Sequence, residues 1–144
     1  MLGMLKNVFA GSANREQDEA MLRQALSSNT AAIISAKCCS AGAGAQDDVL
    51  EERVKTMLIE KGLDWPVLVV TITQAQSALG KVVPTVGEAG RSLAQEIQGL
   101  FMNHGLAVFP ALILDQKLVC YGGVPTAEQL QARLEQLAAA ATGE

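Results

Sequence analysis

The stretch Phe109-Pro110-Ala111-Leu112-Ile113-Leu114-Asp115-Gln116-Lys117-Leu118-Val119-Cys120-Tyr121-Gly122-Gly123 decides the fold. Two short apolar runs, 108–114 and 117–121, flank Asp115-Gln116. Apolar runs joined by two polar residues predict a β-hairpin. Gln116 is a weak turn residue, because the favoured two-residue turns place glycine there. Gly122-Gly123-Val124-Pro125 then leads into a last helix. Thr126 and Gln129 have the spacing of a capping box, and Leu130, Leu134 and Leu137 form its buried face. The tail over 138–144 is expected to fray.

Working outward, Ala31-Ala-Ile-Ile-Ser-Ala36 reads as a short buried strand. A helix follows over 46–61, with Leu50, Val54, Met57 and Leu58 as its apolar stripe. Asp47, Asp48, Glu51 and Glu52 load its first turns with negative charge, which complements the helix dipole, and Gly62 follows as a C-cap. Pro66-Val-Leu-Val-Val-Thr-Ile-Thr73 is nearly continuous and β-branched, the pattern of a strand buried on both faces. Residues 74–79 form a short helical turn, and Gly80–Gly90 is a loop. Residues 91–104 make a helix with Leu93, Ile97, Leu100 and Phe101 on one face. In front of everything, 14–28 reads as a helix, with Asn14 and Gln17 as a capping box and Met21, Leu22, Ala25 and Leu26 as its apolar face.

The order is therefore β-α-β-α-β-β-α with an extra N-terminal helix. That predicts an α/β fold: a central mixed four-stranded sheet, two strands parallel and two in a terminal hairpin, flanked by helices. Residues 1–30 form an N-terminal extension, and 31–144 a single globular unit.

Composition narrows the function. The net charge of −4 argues against a nucleic-acid partner, which calls for a basic patch. No apolar run reaches the roughly 20 residues needed to span a bilayer. Met1–Ala10 is apolar but lacks the basic start and full apolar core of a signal peptide, so it reads as a lead-in. Three cysteines are an odd and sparse set, unsuited to a secreted disulfide framework. A reducing cytoplasm is the expected location.

Cys38 and Cys39 sit between the first strand and the helix over 46–61. The positive end of a helix stabilises a thiolate and lowers the thiol pKa. Two neighbouring thiols can bind a soft metal or metalloid, or take part in redox exchange. The bland alternative is that one packs inside and the other is incidental. Cys120, near the end of the last strand, is a candidate third ligand or resolving thiol; strand alternation decides its face. His104, the single histidine, falls at a helix end, where it caps carbonyls. Gly42 and Gly44 lack the Lys and Ser/Thr of a phosphate loop. One histidine and no partnered serine motif leave no hydrolase triad.

The element order and the Phe109–Gly123 stretch resemble the thioredoxin fold, over about residues 31–138. The resemblance implies that Pro110 is cis and faces the active-site thiols, and that Gly123 closes the returning strand. Thioredoxins carry Cys-x-x-Cys after the first strand, whereas here the fourth residues are Ala41 and Gly42. Cys38-Cys39-Ser40-Ala41-Gly42 instead resembles the vicinal-thiol motif of the ArsD-type arsenic metallochaperones. The family motif continues with a third cysteine, where this chain has about Gly44. The resemblance implies a non-enzymatic carrier that binds As(III), Sb(III) or a similar soft ion through Cys38, Cys39 and a candidate third ligand, Cys120. Its partner would be an efflux ATPase, and no cofactor would be required. Two alternatives stand beside it. One is an atypical thiol-disulfide oxidoreductase, with Cys38 and Cys39 catalytic and a redox partner. The other is a thioredoxin-fold interaction module with no chemistry.

Overall fold

The computed structural model describes residues 16–36 and 43–142. Their elements run α1 (16–25), β1 (Ala31–Ser35), α2 (Ala43–Glu60), β2 (Val67–Thr71), α3 (Ile72–Val82), α4 (Gly87–His104), β3 (Ala111–Leu114), β4 (Lys117–Cys120) and α5 (Ala127–Thr142). The four strands form one mixed sheet in the order β2-β1-β3-β4. β1 runs parallel to β2 and antiparallel to β3, and β3 pairs antiparallel with β4.

Strand alternation distributes the core between two faces. Ala32 and Ile34 turn toward α1, α3 and α4, where Leu22, Leu26, Val82 and Leu93 cover them. Ala31 and Ile33 turn toward α2 and α5, where Leu50, Val54, Leu130 and Leu134 cover them. α1 is thus part of the core. The expected stripe Leu50, Val54, Met57 and Leu58 is buried throughout. The Thr126–Gln129 capping box forms, with N–H bonds of 3.0 and 3.2 Å.

Several expectations are corrected. The run over 66–73 is not a strand buried on both faces: β2 lies at the sheet edge and, of its five residues, only Val70 is buried. The strands buried along their whole length are β1 and β3. Ile72 and Thr73, β-branched and read as strand, open α3. Thr71 overrides their propensity: its hydroxyl accepts from the Gln74 N–H at 3.2 Å, and its own N–H donates to the Gln74 side chain at 3.0 Å.

The expected loop over 80–90 is almost all helical. α3 continues through Gly80 because Ala78 and Val82 are buried on one face. A 3-10 turn, Val83–Thr85, carries Pro84 near its start, where the missing N–H costs nothing. α4 then opens at Gly87. Gly90 lets α4 approach α1: a Cβ there would stand 2.6 Å from Val86 Cγ2 and 3.3 Å from the Leu26 carbonyl.

The weak hairpin turn is held from outside. Asp115 (φ 52°) and Gln116 (φ 66°) both take left-handed backbone, as a type I′ turn requires. The Asn29 N–H donates to Asp115 Oδ1 at 2.8 Å, and Gln116 Nε2 donates to the Leu26 carbonyl at 3.1 Å. The α1–β1 connection thus fixes a turn that Gln116 disfavours.

Candidate functional site

Cys38 and Cys39 lie outside the described residues. The described residues include the carboxyl end of β1, which precedes the two cysteines in sequence, and, at the same end of the sheet, the start of β3 and the exit of β4.

On β1, Ser35 follows Ala31 and Ile33 on the face covered by α2. It is buried, and its hydroxyl donates a hydrogen bond to Oδ2 of Asp47, which is only 2% exposed. The other carboxylate oxygen, Oδ1, is buried with no hydrogen-bond partner among the described residues. α2 begins at Ala43, and its first turn holds no acidic residue. Asp47 therefore sits a turn inside the helix and is buried, which corrects the reading of it as a charge that complements the dipole at the helix start. Buried carboxylates are uncommon and require partners.

β3 reaches the same end of the sheet. The Phe109–Pro110 peptide bond is cis, and Pro110 is fully buried. Ala111 pairs with Ile34, so Pro110 stands level with Ser35, one step beyond the last antiparallel pair. Proline has no N–H to offer β1 there. The exit of β4 folds back on the same corner: the Gly122 N–H donates to the Val108 carbonyl at 2.7 Å. Gly122 has φ 81°, and a Cβ on it would stand 3.2 Å from the Ala107 carbonyl. Gly123 is half-buried, and a Cβ there would meet nothing within 4 Å.

Cys120 is half-buried in the α2/α5 face. Strict alternation would place it with Leu118 on the other face. The register shifts between Leu112 and Ile113, where Leu112 pairs with Cys120 but Ile113 with Leu118. This bulge turns both Val119 and Cys120 toward α2 and α5. Burial pushes the Cys120 thiol above its ordinary range, against the opposing pull of the Arg133 charge and of a backbone hydrogen bond at Leu112. His104 is exposed at the end of α4. Among the described residues no three of His, Cys, Asp and Glu are grouped to hold a metal ion. No helix among them is long and apolar enough to cross a membrane.

No family model, curated protein or solved structure matches the chain.

Two members of this corner, Ser35 and Asp47, were not singled out from sequence as a pair, although a signal existed. Asp47 precedes Leu50 by three residues and Val54 by seven, so it extends the apolar stripe of α2 back by one turn. Ser35 continues the odd-numbered face of β1. A polar residue in line with each apolar series predicts a buried polar contact between them.

Proposed function

We propose that the chain is a thioredoxin-like thiol protein in which Cys38 and Cys39 bind a soft trivalent metalloid, As(III) or Sb(III), as in ArsD-type chaperones. A partner protein such as an efflux ATPase would receive it. The observation that carries this reading is the pairing of β1 with the start of β3. It sets the strand that leads to both thiols beside a buried cis proline. Soft thiolates favour soft ions over Mg²⁺ or Ca²⁺. A strand running into a helix N-terminus favours thiolate formation at the intervening residues. Cys120 contributes less readily as a third ligand, because burial favours its protonated form.

The test is titration of the reduced chain with arsenite, with free thiols counted by a chromophoric reagent. Loss of Cys38 and Cys39 reactivity at near-stoichiometric arsenite is expected, and Cys38→Ser should abolish it. Unchanged arsenite affinity in Cys38→Ser would overturn the reading. Thiols left fully reactive by arsenite favour thiol-disulfide exchange instead. Thiols that react only after unfolding favour an interaction module.

A further inference from the structure

A cavity of about 130 Å³ lies between the sheet and α1, α3 and α4, on the face opposite the one that α2 and α5 cover. α3 and α4 line it with the same pattern. Ile72, Ala75, Gln76 and Leu79 stand at i, i+3, i+4 and i+7 on α3, and Ala94, Ile97, Gln98 and Phe101 at the same spacings on α4. That spacing puts each set on one helix face. Both sets are apolar except at i+4, which is glutamine in each.

Exposure locates the mouth. Gln76 and Gln98 are exposed, whereas the other lining residues are buried or half-buried. The cavity therefore opens between α3 and α4 at two neutral amides, each able to donate and to accept a hydrogen bond. Ile34 on β1 and Phe109 just before β3 belong to its buried wall.

Size and lining select a ligand. An apolar cavity of about 150 Å³ accepts benzene, so this one is on the scale of a single ring. Aromatic residues are scarce in this chain, yet two of its three Phe, Phe101 and Phe109, line the cavity. Their rings stand 5.6 Å apart at 50°. A third ring packs against such a tilted pair by the same edge-to-face electrostatics. No charged side chain lines the cavity, and a charge buried without a partner is costly.

We propose that this cavity binds an uncharged small molecule with one aromatic ring and one hydroxyl or carbonyl group, the ring inside and the polar group at Gln76 and Gln98. The site uses neither Cys38 nor Cys39, so it stands or falls apart from the metalloid reading.

The test is titration of the full chain with benzyl alcohol, followed by backbone amide NMR shifts. Saturable shifts centred on 72–79 and 94–101 are expected. Benzoate, similar in size but charged, should bind at least about tenfold more weakly. Cyclohexylmethanol, which lacks the aromatic ring, should bind about threefold more weakly. Ala94 is 5% exposed, so Ala94→Leu fills the cavity, and Ala75→Phe fills it from α3. Either variant, once its spectrum shows that it folds, should weaken benzyl alcohol at least about tenfold. Gln98→Leu changes an exposed side chain and keeps the proposal testable if both filling variants unfold. It should weaken benzyl alcohol about threefold, the worth of one hydrogen bond, and leave toluene within about twofold. Shifts that do not saturate or that scatter over the surface overturn the proposal. So does unchanged affinity in a folded filling variant, or benzoate binding as well as benzyl alcohol. Equal effects of Gln98→Leu on benzyl alcohol and toluene overturn the placing of the polar group at the mouth.

Discussion

Ser35 on β1 donates a hydrogen bond to Asp47 on α2, and both side chains are buried at the carboxyl end of the strand. The contact ties the strand that precedes Cys38 and Cys39 in sequence to the helix that follows them. A carboxylate placed there is costly unless it is hydrogen-bonded, so the pair should be strongly coupled.

Ser35→Ala is expected to destabilise the fold by about 1–3 kcal/mol, because it strips a donor from a buried carboxylate. Combining it with Asp47→Leu removes both polar partners. The double variant should therefore be less destabilised than the sum of the single ones, by about 1 kcal/mol or more. Urea unfolding of the four proteins measures this coupling. Simple additivity would mean that the bond contributes nothing in solution.

Gly122 and Gly123 are neighbours with different duties. Gly122 takes φ 81° and brings its backbone against the Ala107 and Val108 carbonyls, whereas space is open around Gly123. Gly122→Ala should cost about 1–3 kcal/mol, the usual penalty for left-handed backbone with a side chain. Gly123→Ala should change stability by less than about 0.5 kcal/mol, as substitutions away from special features do. Equal effects in thermal unfolding would show that the corner at Pro110 does not depend on this close approach.

Local signals made much of this fold legible. The periodic stripes of α2 and α4, the Thr126–Gln129 cap and the two apolar runs of the hairpin each point to one element. What sequence misassigned depended on partners distant in the chain. The position of β2 at the edge follows from β3 inserting beside β1, which no window around Val67–Thr71 contains. The helical character of 80–90 depends on contacts with α1, among them Arg23 Nε donating to Thr85 Oγ1 at 3.2 Å and the Lys81–Glu19 pair at 3.8 Å. Gly90, read as loop, is a helix-packing contact against Leu26. Around the candidate site, the sequence drew attention to the cysteines and not to the buried carboxylate, because four acidic residues in six positions hid the one that faces inward.

Cys120 gives the clearest dependence on pH. Burial raises its folded pKa above the unfolded value. The sign follows from linkage: the folded state holds the thiol proton more tightly. The stabilising contribution is therefore complete below the unfolded pKa and is lost as pH rises through the folded pKa. Stability measured in urea should fall on the alkaline side, and Cys120→Ser should flatten that fall. In a Cys38→Ser/Cys39→Ser chain, Cys120 is the single remaining thiol. Its alkylation by iodoacetamide should show a pH midpoint above that of the same chain unfolded in urea. Arg133→Ala should raise the midpoint further, because the guanidinium opposes the effect of burial. A folded midpoint equal to the unfolded one would place the thiol in solvent. The bulge at Leu112 would then fail to turn it toward α2 and α5.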